Sequence, residues 1–371
     1  MKILLIPCEK PNHPYADVRL VPIIPILKSR GNVVGLEFIH SASFETVRNF
    51  SLSKLRGYFS LAGYLVKSLY FGLRHMRTID LIFCEHLYCA VIGVCLSFLG
   101  NKPFIWDSHG NLTAASKEME DPKIYTKILN YTEHLIHNHC NMLVVPTELD
   151  KELYLSQGFR NDRIRVIPCG VNLSEVDSAI QDTHNIRKDL GLDHSTPLLI
   201  FTGKRTYLPN KEAAWWINDV LAPSIKESFG KVKIIITGSG ETPKITHESV
   251  EFVGFVQNIF KYIHAADICL VPVHLDNGIS TKLLDFMACG KPSVVLSTVA
   301  RGMPEIEDNK NVLLADDLDG YIKRTIEALM MGKNQIDKIG LAARQVIERL
   351  YNWETIKNRW SALLDELISK G

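Results

Sequence analysis

The sequence predicts an α/β chain of two consecutive parallel-sheet domains facing each other across a cleft. Three observations carry that expectation. Short, continuously apolar runs such as Ile3–Ile6, Leu198–Thr202 and Ile268–Val273 are the mark of strands buried on both faces. Segments with apolar residues at helical spacing lie between them, so strand and helix alternate along the chain. The length, 371 residues, is long for a single core.

The first domain, expected over residues 1–173, opens with the strand Ile3–Ile6, a helix from Asp17 to Arg30 stopped by Gly31, and a strand from Val33 to Ile39. This βαβ opening lacks G-x-G-x-x-G, so the dinucleotide fingerprint is missing where a dehydrogenase needs it. From Leu55 to Met76 the apolar residues fall on one helical face, interleaved with Arg56, Lys67 and Arg74, and no acid occurs between Ser51 and Ile79. A basic amphipathic helix over residues 54–77 can lie on an anionic membrane surface; equally, its cations can solvate the outer face of a helix that covers the sheet. Strands follow at Ile79–Cys84 and Pro103–Trp106, the second running into Asp107-Ser108-His109-Gly110. A helix is expected from Pro122 to Asn141, then a strand at Met142–Val145. His134, His137, His139 and Cys140 match no common zinc spacing. The strand and turn Ile164–Asn172 close the domain, and the polar residues 174–189 read as a linker.

The second domain, residues 190–354, repeats the pattern. Strands are expected at Leu198–Thr202, Val232–Thr237, Glu251–Phe255, Ile268–Val273, Ser293–Ser297 and Asn311–Ala315, with helices at Asn210–Lys226 and Ile259–Ala265. Helical segments follow from Leu318 onward, and residues 355–371 are expected to fold back on the first domain. Gly238-Ser239-Gly240 lacks a third glycine and carries little weight alone.

Composition excludes several classes. Apolar residues make up 46% and charged residues 22%, as in globular proteins. The 42 Lys and Arg nearly cancel the 41 Asp and Glu, which disfavours nucleic acid as a partner. Eight cysteines without a C-x-x-C pair, mostly in apolar segments, point to a reduced, cytoplasmic setting. The apolar start Met1–Ile6 is too short for a signal peptide, and Cys89–Leu99 falls well short of the ~20 residues that span a bilayer.

The most informative stretch is Asp276 to Pro292. Asn277 and Gly278 are loop residues, Ser280 or Thr281 can cap a helix, and Leu283, Leu284 and Met287 repeat at helical spacing until Gly290 and Pro292 stop the run. Such a helix start presents backbone N–H groups at the positive end of the dipole, with Lys282 beside them, and so suits an anion. Asp285 could accept from two vicinal hydroxyls. Because ligands of open sheets sit at the carboxyl ends of strands, Gly203-Lys204-Arg205, Gly254-Phe255 and Asn277–Lys282 are expected on one rim.

With these residues in place, the chain resembles the retaining glycosyltransferases of family 4 (glycosyl transferases group 1), whose GT-B fold pairs two Rossmann-like domains. The resemblance covers almost the whole length and rests on the order of Val166–Asn172, Phe201–Arg205, Val253-Gly254-Phe255, Asn277–Pro292, Gly302-Met303-Pro304-Glu305-Ile306 and Trp353. It implies transfer of a sugar from a UDP- or GDP-linked donor to a glycan or lipid-linked acceptor, with no cofactor or metal; the basic helix over residues 54–77 adds the expectation of contact with the inner face of a membrane. The family's acid, seven residues, acid pattern places its second member on Asp285, which would bind the ribose. Its first member falls on Asn277, a departure that leaves either Asn277 or Asp276 in that role. Lys204 matches the first of a basic pair that neutralises the diphosphate, with Lys211 or Arg205 as the second; Lys282 matches a further phosphate contact. The implied donor set thus comprises Gly203, Lys204, Arg205, Lys211, Gly254, Phe255, Asp276, Asn277, Gly278, Ile279, Ser280, Thr281, Lys282 and Asp285. His109, Lys204 and Asn277 would be catalytic, and Asp17, Arg19 and Asp107 would lie on the acceptor side. No carboxylate stands as an obvious nucleophile, which favours same-face attack with the departing phosphate taking the acceptor proton. Asp317-Leu318-Asp319 looks like a metal-binding D-x-D but is expected to cap a helix. Two other readings stay open: a nucleotide-sugar epimerase, for which only His109 is a clear acid–base group, and a non-catalytic glycosyltransferase-like binding partner.

Overall fold

The computed structural model describes residues 1–7, 19–35, 55–118, 120–193, 195–274 and 278–369. The chain forms two units, Met1–Gly170 with Asn277–Ile279 and Glu354–Gly371, and Val171–Asp276 with Ser280–Trp353.

The first unit is built on six parallel strands, β1 (Lys2–Ile6), β2 (Asn32–Val34), β3 (Leu81–Glu85), β4 (Phe104–Asp107), β5 (Met142–Val145) and β6 (Ile164–Val166), in the order β2-β1-β3-β4-β5-β6. Alternate residues of each strand enter opposite cores. Leu4, Ile6, Ile82 and Cys84 face one side, where the helices Leu55–His75, His86–Gly100 and Lys123–His139 pack. Ile3, Leu5, Leu81 and Phe83 face the other, covered by Ile23–Arg30 and by Ile356, Trp360, Leu363 and Leu364 of the C-terminal helix Trp353–Ser369. The Trp360 ring lies 5.6 Å from that of Phe83.

The second unit repeats the design with β7 (Leu198–Thr202), β8 (Lys233–Thr237), β9 (Val250–Gly254), β10 (Ile268–Val271), β11 (Ser293–Leu296) and β12 (Leu313–Ala315), ordered β12-β11-β10-β7-β8-β9 and parallel throughout. The chain runs outward from β7 to β9, then returns to the other side of β7 to lay down β10. The pair β7 and β10 is therefore the topological switch point, and β1 with β3 is its counterpart in the first sheet.

Residues 174–189, expected as a linker, are instead largely helical. Leu173–Ser178 buries Val176, and Thr183–Asp189 packs on Ile259–Ala265, with Arg187 donating to the Ala265 carbonyl at 2.9 Å. Their polarity belongs to the solvent side of short helices, not to a free tether. The expected single helix over 210–226 extends from Leu208 to Ser228 through a π-turn at Ile217–Leu221. Besides Leu173–Ser178 and Thr183–Asp189, the helices Leu112–Glu118, Glu148–Ser156, Ser297–Ala300 and His86–Gly100 were not legible in the sequence; the last is apolar on every side and so lacks a helical period.

A buried polar network ties the loop after β4 to these helices. Glu133 accepts from the Leu112 N–H (3.0 Å), Thr113 Oγ1 (2.6 Å) and Tyr154 Oη (3.2 Å), and burial pushes its carboxyl up to about 7. Between the ordinary carboxyl range and pH 7 the folded state holds a proton that the unfolded chain has released. Glu133 thus contributes stability at low pH that is lost as pH rises towards 7. Denaturant midpoints at pH 5 and pH 8 should differ less in Glu133→Gln than in the parent, by on the order of 3 kcal/mol; an identical pH dependence would show that Glu133 is not the titrating group.

Candidate functional site

At the second switch point the turn Gly203-Lys204-Arg205 leaves β7, and the chain leaving β10 leads to the helix Thr281–Ala288. Ser280 caps that helix, its hydroxyl accepting from the Leu283 N–H, and Gly278 ahead of it has φ 71°, a left-handed value suited to glycine. Lys282, in the first turn, points its ammonium inward: Nζ donates to Asn210 Oδ1 at 2.5 Å and lies 4.5 Å from the centre of the Phe201 ring. Burial pushes it down to about 7. Asn210 in turn donates to the Lys204 carbonyl at 3.1 Å, bridging the turn after β7 to the helix after β10. The two loops after β7 and β8 approach so closely that a Cβ on Gly238 would lie 2.3 Å from the Gly203 carbonyl oxygen.

Asp285 is one turn further along the helix. Burial, with Glu175 adding a like charge, pushes its carboxyl up to about 7. Gly254 ends β9 with φ 80°, and Phe255 after it is 76% exposed. An aromatic ring left in solvent beside a strand end is available for stacking.

Of the other three candidate cations, Arg205 and Lys211 both make contacts with the loop after β8. Arg205 is buried, with Nε donating to the Glu241 carbonyl at 2.6 Å and Nη2 to the Gly240 carbonyl at 3.2 Å, its guanidinium 5.2 Å from the Phe252 ring. Two of its three guanidinium nitrogens thus hold the loop after β8, while the buried Nη1 has no hydrogen-bond partner among the described residues. Lys211 pairs with Glu241 at 2.6 Å and covers the Trp215 ring. Lys204 itself is exposed.

In the first unit, Glu85 and Asp107 sit opposite each other at the carboxyl ends of β3 and β4. Arg19, expected on the acceptor side, is 2% exposed and grips Asp107 with two donors while Nη1 donates to the Ile167 carbonyl. Burial pushes the Asp107 carboxyl up and Arg19 opposes it. This is an internal clamp joining β4 to the end of β6, so neither residue presents its charge at a surface. His109, by contrast, keeps part of its ring accessible and places Nε2 3.0 Å from the buried carboxylate of Glu85. His86 lies edge-on to it at 5.7 Å; it has φ 67°, and burial first, then His109, pushes it down to about 3.

Asp17, Asp276 and Asn277 lie outside the described residues. Sequence reading missed Asn210, Glu85 and His86. Asn210 was legible only as a helix start, and the pairing of Glu85 with His109 depends on β3 lying next to β4. Asp317 caps the helix Leu318–Met330, accepting from the Gly320 N–H at 2.7 Å. Among the described residues no group of three or more His, Cys, Asp or Glu could hold a metal ion, and no helix is long and apolar enough to cross a membrane.

Two family models match the chain, Glycosyltransferase Family 4 over residues 13–175 and Glycosyl transferases group 1 over residues 196–331. An uncharacterised glycosyltransferase of Methanocaldococcus jannaschii is 23% identical over 246 residues, a match that takes in 63% of this chain and 61% of the relative's length. Among solved structures, HepE of Anabaena in complex with UDP superposes with a TM-score of 0.75 at 17% identity, over 99% of this chain and 100% of that one. Sucrose-phosphate synthase from Thermosynechococcus elongatus gives 0.74 at 17% identity, over 100% of both chains. These likenesses show the GT-B fold that the family resemblance implied. With one model on each sheet-bearing unit, the chain belongs to the family 4, group 1 glycosyltransferases.

Proposed function

We propose that the protein is a retaining glycosyltransferase that moves a sugar from a nucleotide-diphosphate donor, UDP- or GDP-linked, to a glycan or lipid-linked acceptor in the cytoplasm, with the basic helix of residues 54–77 resting on a membrane surface. The observation that carries the donor half is the half-buried Lys282 ammonium, linked through Asn210 to the turn that bears Lys204 at the β7/β10 switch point. HepE was solved with UDP and with UDP-glucose, which supports a uridine donor here.

In this reading the two lysines and the N–H groups of the helix start hold the diphosphate, Asp285 takes the ribose hydroxyls, and Phe255 stacks on the base. As the bond to the diphosphate breaks, negative charge grows on the leaving group. Fixed cations then stabilise the transition state more than the ground state. The departing phosphate accepts the proton of the attacking hydroxyl on the same face, and no metal takes part. His109, held by Glu85, serves the acceptor side of the sugar, and Asn277 or Asp276 bonds its hydroxyls.

Purified protein incubated with a panel of nucleotide sugars should slowly hydrolyse the correct donor. Lys204→Ala should lower that rate roughly tenfold or more. Absence of binding and hydrolysis with every donor would overturn the enzyme reading, and an unchanged rate in the variant would move the phosphate site elsewhere.

A further inference from the structure

The helices Leu55–His75, His86–Gly100 and Lys123–His139 cover one face of the first sheet, the outer two both packing against the middle one. A sheet-covering helix ordinarily turns a polar stripe to solvent. Here the reverse holds. The middle helix contains no Lys, Arg, Asp or Glu, and its Phe98 is 78% exposed. On the third helix Ile124, Ile128, Tyr131 and Leu135 recur at spacings of four, three and four, and all are exposed. Such spacing is a single stripe along one side of a helix, and Tyr70 is likewise exposed on the first.

The charges of this face are of one sign. Among the three helices the described acid is Glu133, which is buried, while Lys67, Arg74, Lys123 and Lys127 face solvent. The whole chain carries a net charge of only +1, so this local excess is not a reflection of overall composition. A second copy of the chain on this face would bring cations against cations. A surface that takes apolar side chains and also supplies phosphate anions meets both features at once, and anionic bilayers do this.

We infer that this three-helix face docks on the surface of an anionic lipid bilayer, its apolar stripes sinking to the acyl boundary and its flanking lysines and arginines pairing with lipid phosphates. The proposal deepens the membrane contact assigned above to the basic helix and does not depend on the donor reading.

The full chain should sediment with vesicles of an equal mixture of phosphatidylcholine and phosphatidylglycerol and stay in solution with phosphatidylcholine alone. Lys67→Glu with Arg74→Glu should lower binding by roughly fivefold or more for each cation. Ile128→Ser with Tyr131→Ser, on a different helix, should lower it by roughly tenfold. Equal sedimentation with both vesicles, or binding untouched by either pair, would overturn the proposal. So would a dimer in analytical ultracentrifugation that Ile128→Ser with Tyr131→Ser abolishes, since a second copy would then cover the stripe. UDP and GDP affinities, measured on the same samples, should be unchanged in both variants; a chain that binds vesicles but neither nucleotide contradicts the donor reading and leaves this one standing.

Discussion

Lys282→Met is expected to lower kcat/KM for the donor by roughly 100-fold to 1,000-fold, the effect of removing one partner from a buried charge contact. The methionine fills a similar volume, so the packing against Phe201 is kept and the missing property is the charge. Burial holds the ammonium at about 7. An arriving diphosphate favours the charged form and pulls that value up, so donor binding near neutral pH takes up a proton. The sign follows: affinity is greatest below pH 7 and weakens as pH rises through about 7 towards the value in the complex. Titration calorimetry in two buffers of different ionisation enthalpy should register the proton uptake in the parent and lose it in Lys282→Met. A variant with unchanged kcat/KM would remove Lys282 from the phosphate site.

The second large effect concerns stability. Removing one partner of the Arg19–Asp107 clamp leaves a buried charge without its counter-ion, which costs about 3–5 kcal/mol. Arg19→Met and Asp107→Leu should each lower the denaturant midpoint strongly, while the two together should recover much of the loss, because the pair is then replaced by apolar groups. If Arg19→Met instead unfolded like the parent and lost only acceptor use, the acceptor-side role implied by the family resemblance would stand.

What could be read from the sequence follows from how local each signal is. The strands Leu198–Thr202 and Met142–Val145 and the helix Ile259–Ala265 coincide with their expected bounds because a run of apolar or periodic residues is a local property. The capped helix start that bears Lys282 was legible too, since a serine cap after a glycine loop needs no partner to be recognised. Arg205 and Arg19 were placed with functional groups because a sequence shows their charge but not where it is spent. Only the fold shows that the Gly240 and Glu241 carbonyls accept from two nitrogens of one, and that Asp107 pairs with the other. Asn210 and Glu85 went unnoticed for the converse reason, as their roles arise from strand order.

The C-terminal helix gives the chain an unusual history. The residues that complete the core beneath Phe83, among them Trp360 and Leu364, are made after all the strands of the second unit. During synthesis the first sheet therefore emerges with one face only partly covered and must wait until the second unit has been produced. Contacts so distant along the chain close late and slowly. Until Trp360 and Leu364 emerge, that face of the first sheet has only the helix Ile23–Arg30 to cover it, so the unit translated first depends on the last helix for its core.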